Sequence, residues 1–431
     1  MTGTGSPTGG VLDGLEKTRP WQEELYRDLH QHPELSHEEH DTAARVARKL
    51  GTLGFQVHEG VGGTGVVGLL HNGDGPTVLL RADMDALPVR ERTGLPYAST
   101  VTTRDLDGDD VPVMHACGHD VHVTCLLGAC ALLSDGRHAW QGTVVALFQP
   151  AEEVGDGARG MVDDRLASIV GHVDVAFAQH VLAMPAGVVA TRPGPVLSAA
   201  DSMRITVHGR GAHGSMPQAA VDPVVLAAMI VLRLQTVIAR EVAPTDPAVL
   251  TVGSIRAGTK SNVIGDHAVL QLNIRSYDER TRGTIIDAVR RMVTAECQAS
   301  QSPVEPEFEL FDRFPPTVND AATTERVRAA FDACFGDRVQ DLPLQSASED
   351  FSDIPDALSA PYTYWGIGGV DPDSYHRAAE AGRVSQDIPV NHSPDFAPVI
   401  QPTLDTGTQA MAAAALAWLA GPAGRPGTSE V

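Results

Sequence analysis

The chain has almost no lysine. Lys17, Lys49 and Lys260 are the only three among 431 residues, and 32 basic side chains face 55 acidic ones. The resulting net charge of −23 repels phosphate backbones and anionic headgroups, so nucleic acid and membrane surfaces are not expected partners. An uninterrupted apolar run of the roughly 18 residues needed to span a bilayer is also lacking. The greasiest segment, Val221 to Ala239, is broken by Asp222, Arg233 and Gln235 and reads as an amphipathic helix. The first twenty residues lack a basic start followed by an apolar stretch, so no secretory signal is expected. Cysteines are few and odd in number, at 117, 125, 130, 297 and 334, which argues against a disulfide scaffold. Together these absences lead to the expectation of a soluble cytoplasmic protein.

What is present suits a globular protein. Hydrophobic residues make up 42% of the chain, enough for sizeable cores, and the length suits two domains. Residues 1 to about 10 and the tail from Gly421 are Gly/Pro/Ser/Thr-rich and are expected to fray. Helices are predicted over Arg19–Leu29 and from Ser36 toward Gly51, the second opened by a Ser36/Glu39 capping box. Short apolar runs at Val66–Leu70, Thr77–Arg81, Thr143–Phe148 and Val173–Phe177, with helical Val121–Leu133 between them, predict an α/β sheet covered on both faces. The middle of the chain reads strand, helix, strand, strand, helix, strand from Met203 to Phe311, a ferredoxin-like β-α-β-β-α-β unit. The expected organisation is a catalytic α/β domain over residues 11–195 and 305–420, with an inserted domain over 196–304.

Five segments bring together residues able to do chemistry. His115-Ala-Cys117-Gly-His119-Asp120 sets a thiol and an imidazole two apart, and both are good ligands for zinc and other transition metals. Glu152 and Glu153 follow an apolar strand, where active-site loops of α/β sheets emerge. A metal-assisted hydrolase needs one carboxylate as ligand and one free to take a proton, and the spacing does not say which glutamate does which. His180 and His392 end similar segments, and one cysteine, three histidines and one glutamate would suffice for a two-metal site. In Arg81-Ala-Asp83-Met-Asp85, an aspartate can hold a ligand imidazole by its second nitrogen. Cys125 and Cys130 read as core thiols, and Gly62-Gly-Thr-Gly65 as a loop without dinucleotide-site spacing.

Seven motifs together resemble a known family. They are Leu29-His-Gln-His-Pro-Glu-Leu35, Arg81-Ala-Asp-Met-Asp-Ala-Leu-Pro88, His115-Ala-Cys-Gly-His-Asp120, Pro150-Ala-Glu-Glu153, Gly211-Ala-His-Gly-Ser-Met-Pro217, Ser348-Glu-Asp-Phe351 and Asn391-His-Ser-Pro-Asp-Phe396. In this order they resemble the metal-dependent amidohydrolases of the aminoacylase and carboxypeptidase metallopeptidase family, nearest the hippurate hydrolase and indole-acetyl-amino-acid hydrolase group. The resemblance implies Cys117, His119, Glu153, His180 and His392 as ligands of two divalent metal ions per subunit, Glu152 as general base, and Asp85 as the acid orienting a ligand histidine. Zinc or manganese is implied, with cobalt or nickel as alternatives.

In the inserted domain, the resemblance implies that His213 contacts the reacting carbonyl, often from a partner subunit, and that Asn262 and Arg275 hold the substrate carboxylate. Ala212 and Gly265 depart from residues common in relatives and concern loop shape only. Related carboxypeptidases place a ligand histidine where this chain has Asp83, and Cys117 belongs to the amidohydrolase branch. The expected activity is therefore hydrolysis of small-molecule N-acyl amino acids by a homodimer joined through the inserted domain. The alternatives are a dipeptidase or carboxypeptidase on the same metals, and a non-catalytic ligand-binding member of the fold.

Overall fold

The computed structural model describes residues 7–104 and 108–420 and forms two compact units. The first comprises residues up to Gly194 with Asn319–Pro343 and the segment from Asp350, and the second comprises Pro195–Val318 and Leu344–Glu349.

The first unit is built on a mixed sheet of β1 (Gln56–Val61), β2 (Gly65–Asn72), β3 (Thr77–Asp83), β4 (Gly142–Gln149), β5 (Val175–Pro185), β6 (Val189–Thr191), β7 (Val339–Asp341) and β8 (Tyr362–Val370). Its spatial order is β1-β2-β4-β3-β5-β8-β6-β7. The four central strands, β4, β3, β5 and β8, run parallel, and β2 and β6 flank them antiparallel. The central strands are apolar nearly without interruption because helices cover both faces. Those helices include α1 (Leu15–Gln31), α2 (His40–Thr52), α3 (His119–Asp135), α4 (Ala321–Phe335) and α5 (Ile400–Leu419). Helix α3 is buried from His119 to Leu133 and packs against the alanine-rich α5. Cys125 and Cys130 fill that core, and burial pushes both thiols up.

Three local expectations are corrected. Pro7–Leu12 is helical rather than frayed, while residues 1–6 and 421–431 lie outside the described residues. Helix α2 starts at His40, and no Ser36/Glu39 capping box forms. The Ser36 hydroxyl instead donates to Asp85 Oδ2 at 2.7 Å, and Glu39 turns inward to accept the Ala151 N–H at 2.8 Å. Long-range polar partners outcompete the local cap.

The second unit is a four-stranded antiparallel sheet in the order Ala248–Ala257, His267–Ser276, Ala199–His208, Glu307–Phe314. Helices Pro223–Glu241 and Glu279–Ala299 pack on it around Ile205, Ile230, Leu234, Leu272, Ile285 and Val289. The chain order is β-α-β-β-α-β. Its fourth strand, Glu307–Phe314, pairs with Ala199–His208 and so lies beyond the expected boundary at 304. Helix Pro223–Glu241 is long and apolar enough to cross a membrane by length and composition, but its Leu226, Ile230, Leu234 and Val237 side is buried on the sheet.

Candidate metal centre

Strands β3 and β4 end side by side, with Asp83 level with Gln149, next to the middle of the longer β5. Parallel α/β sheets present their sites at these carboxyl ends. His180 lies in β5, Asp85 follows β3, and Glu152 and Glu153 follow β4. Helix α3 begins at His119, directly after Gly118 at φ 82°. A Cβ on Gly118 would lie 2.3 Å from Val181 Cγ1, so only glycine fits the turn that puts Cys117 and His119 on the same cluster. The Asn391–His392 turn is clamped to this loop. Asn391 Nδ2 donates to the carbonyls of Cys117 at 3.2 Å and Val181 at 3.0 Å, and His392 N donates to Ala116 O at 2.8 Å.

Within the first unit, every expected ligand converges. Donor atoms of Cys117, His119 and His180 lie within 4.8 Å of one another, as do those of Cys117, Glu153 and His392, and those of His119, Glu152 and Glu153. Cys117 Sγ is 3.4 Å from His180 Nε2, and His392 Nε2 is 3.4 Å from Glu153 Oε2. Glu152 is buried, while His392 reaches the surface.

The hydrogen bonds fix which imidazole nitrogens remain free. His119 Nδ1 is 3.1 Å from Asp85 Oδ1 and His180 Nδ1 is 2.8 Å from the Val181 carbonyl, so both donate from Nδ1 and turn Nε2 toward the cluster. A third cluster, Asp83, His119 and His122, also has metal-like spacing. His122 has no lone pair left, however. Its Nε2 accepts the Val181 N–H at 2.9 Å, and its Nδ1 donates to Asp83 Oδ1 at 2.5 Å.

The donor set fits divalent cations. His119 Nε2 and Glu153 Oε1 are buried with no hydrogen-bond partner among the described residues, which is rare for protein polar groups. Burial lowers the His119 pKa, but Asp83 and Asp85 outweigh it and raise it to about 10, so a cation bound at Nε2 would displace a proton there. Burial, then Glu153, Glu152 and Asp83, push the Cys117 thiol well up. Burial and His122 hold His180 well below the usual imidazole range. Burial opposes charge on Asp83, yet Arg81, His119 and His122 keep its carboxyl well down. Divalent cations would neutralise this acid-rich cluster and convert the thiol to thiolate.

Asp85 holds three partners. Its Oδ1 meets His119, and its Oδ2 accepts from Ser36 and from the Glu153 backbone N–H at 3.0 Å. Buried Arg81 bonds Asp83 at 2.6 Å and Gln149 at 2.8 Å, and Gln149 donates to Asp350 at 2.6 Å. Asp350 also receives the Ala158 N–H at 2.9 Å, bracing the loop that carries the two glutamates. Sequence reasoning missed His122, Arg81, Glu39 and Ser36. The one signal for His122 was its position three residues after His119, on the same helical face.

The three expected substrate contacts lie in the second unit and are not all together. His213 and Asn262 share a short ribbon, where Ala212–His213 pairs with Val263–Ile264 and Gly214 N donates to Asn262 O at 2.8 Å. Both side chains are exposed, and His213 Nδ1 sits 2.8 Å from Ser215 Oγ. Arg275 is eight residues along the strand from His267, about 26 Å at a rise of roughly 3.3 Å per residue. It is half-buried and donates to Asn273 Oδ1 at 2.9 Å and Ser348 Oγ at 2.6 Å.

Comparison with known proteins sets these features in a family. The profile of peptidase family M20/M25/M40 matches residues 79–389. Thermostable carboxypeptidase 1 of Saccharolobus solfataricus is 39% identical over 363 residues, 83% of this chain and 88% of that protein. N-acetyl-L-cysteine deacetylase of Bacillus subtilis is 35% identical over 358 residues, 82% of each chain. Among solved structures, a Bacillus subtilis dinuclear metal-binding peptidase of the M20 family superposes with a TM-score of 0.74 at 27% identity, covering 93% of this chain and 98% of that one. The chain therefore belongs to peptidase family M20/M25/M40 and is a metal-dependent, dinuclear amide hydrolase.

Proposed function

We propose that the enzyme cleaves the amide bond of N-acyl amino acids, giving a carboxylate and a free amino acid. The observation that carries this reading is the thiol of Cys117 inside the ligand cluster, together with Asp83 spent on Arg81 and His122. By resemblance, the carboxypeptidase branch has a ligand histidine at Asp83 and no such thiol. The 35% identity to an N-acetyl-L-cysteine deacetylase supports the same substrate class. A carboxypeptidase activity is the second reading, favoured by the 39% identity to thermostable carboxypeptidase 1.

In this reading Cys117, His119, Glu153, His180 and His392 hold the two metals. Zinc suits the thiolate and imidazoles, and manganese the carboxylate; cobalt and nickel are alternatives. Cations held there would supply Lewis-acid polarisation of the amide carbonyl and a lowered pKa for water. Glu152 takes one proton from the attacking water as its oxygen bonds to the carbonyl carbon. It then delivers that proton to the nitrogen as the C–N bond breaks, so the amine leaves neutral. Asp85 keeps His119 in its Nε2-ligating form. Arg275 pairs with the substrate carboxylate, as a guanidinium fork can.

His213 and Asn262 lie at the other end of the insert from Arg275, too far for one small substrate to touch all three within one insert. We therefore assign His213 and Asn262 to the site of a second copy. The edge strand Ala248–Ala257 with exposed Val249 and Ile255, and helix Pro223–Glu241 with exposed Val225, Met229 and Leu232, form the surface for that dimer.

The test is release of amino acid from N-acetyl, N-benzoyl and indole-acetyl amino acids beside unblocked dipeptides, with and without chelator. Chelator-sensitive cleavage confined to acylated compounds is expected. Cleavage of the dipeptides alone would transfer the enzyme to the peptidase reading.

A further inference from the structure

Glu39 is a fully buried carboxylate outside the metal cluster, and both of its oxygens are in use. Oε1 accepts the backbone N–H groups of Ala151 at 2.8 Å and His37 at 3.0 Å. Oε2 accepts the Thr64 hydroxyl at 2.5 Å. Ala151 stands directly before Glu152 and Glu153, at φ 51°, in the left-handed region that residues with a Cβ seldom enter. Such a conformation persists only where the surroundings impose it. Here the Glu39 carboxyl takes the Ala151 N–H, and the Ala151 carbonyl accepts from Gly157 N at 3.2 Å.

Thr64 is delivered by the glycine-rich loop, which thereby gains a role. Gly62 N donates to Asp164 Oδ2 at 3.0 Å, and a Cβ on Gly62 would lie 2.5 Å from Met161 N. The loop thus presses against the backbone just downstream of the glutamate pair and presents Thr64 to Glu39. Three segments far apart in sequence, at 39, 64 and 151, meet at one carboxylate.

We propose that Glu39, seated by Thr64, is a positioning residue for the general base: it fixes the turn at Ala151 and so sets where the Glu152 carboxylate stands. This rests on the assignment of Glu152 as the base. Glu39 cannot be that base, because its oxygens are filled by donors from the protein. Its effect is on placement, and errors of about 1 Å in a reacting group can cost about 10²-fold in rate.

The test compares Thr64→Val, Thr64→Ser, Glu39→Gln and Glu39→Ala with the parent by hydrogen–deuterium exchange over residues 148–157, bound metal per chain, and kcat and KM on an N-acyl amino acid the parent hydrolyses. Thr64→Val removes the hydroxyl without reshaping the side chain, so it remains informative if Glu39→Ala fails to fold. Exchange at Ala151 is expected to rise at least tenfold in Thr64→Val and Glu39→Ala. In the same variants kcat falls by about 10- to 100-fold, with KM within about twofold of the parent and two metals retained. Thr64→Ser and Glu39→Gln, which keep the hydroxyl and the Oε1 acceptor, restore most of both readouts. Unchanged exchange in Thr64→Val and Glu39→Ala overturns the brace, whatever the parent hydrolyses. Faster exchange with unchanged kcat overturns the positioning role. A parent inert toward all amides removes the base assignment instead, and the exchange data then decide the brace alone.

Discussion

A histidine binds a metal through a ring nitrogen that still has its lone pair, and the bond made by the other nitrogen decides which one that is. By this rule His119 and His180 present Nε2 to the cluster, and His122, although three residues from His119 and equally buried, is a strut between Asp83 and Val181. His119→Asn should therefore lower bound metal per chain. His122→Asn should keep two metals and lose thermal stability instead, since each buried group left unpaired costs about 1–3 kcal/mol. Metal analysis beside thermal melts separates the two. Glu152→Gln should bind metal normally and turn over about 10²–10⁴-fold more slowly, because the amide cannot take the proton; parental kcat would remove the base assignment. His30 gives a pH test away from the reacting centre. Burial lowers its pKa, but Asp120 at 2.7 Å and Glu91 at 3.2 Å raise it to about 10. A pKa raised on folding contributes stability that is complete below the unfolded value of 6.5 and lost as pH rises through about 10. The melting difference between the parent and His30→Gln should accordingly be large near neutrality and shrink toward pH about 10.

Elements with a local pattern were legible from residues alone. The run Val121–Leu133 is the heart of α3, and the insert's six elements appear in the expected order. Ser36 and Glu39 show where legibility ended. Their spacing satisfies a capping box, yet their partners are Asp85 and Ala151, 49 and 112 residues along the chain. Local spacing carries no information about such distant partners, and a buried carboxylate bonds the donors that the fold brings to it. The expected bound at 304 cuts off the last strand of the unit that the pattern from Met203 to Phe311 had itself included, and that strand pairs with Ala199–His208. The candidate ligands were legible as motifs, but the tautomers that free their Nε2 atoms required the partners in three dimensions. The turn opening α3 gives an element-scale prediction. Gly118→Ala meets both a positive φ and Val181, and should lower melting temperature and metal affinity together. Gly51→Ala, inside α2 with nothing within 4 Å of the added Cβ, should stabilise by about 0.5–1 kcal/mol and leave metal binding alone. Equal losses in both variants would mean that the turn is not special.

At the scale of the whole molecule, the question is how one substrate could use both ends of the insert. His213 and Asn262 lie just beyond the His208–His267 pair, while Arg275 sits near the far end of that sheet, paired with Ala200 and Val249. Those ends are separated by about 26 Å of strand at roughly 3.3 Å per residue. In the proposed dimer, a site that drew on both would take them from two chains, as a twofold arrangement through the Ala248–Ala257 edge would supply. Mixing two inactive variants tests this directly. A chain carrying Glu152→Gln keeps its His213, and a chain carrying His213→Ala keeps its Glu152. If His213 serves its own chain, every site in the mixed dimer is defective and activity stays at background. If it serves the partner, one site of each mixed dimer has both groups intact, and random reassortment restores about one quarter of parental activity. Introducing Leu232→Glu into both variants should then yield monomers by light scattering and abolish the recovery, because it puts charge into the exposed apolar face of helix Pro223–Glu241. Background activity in the mixture before Leu232→Glu is introduced would place His213 back in its own chain's site.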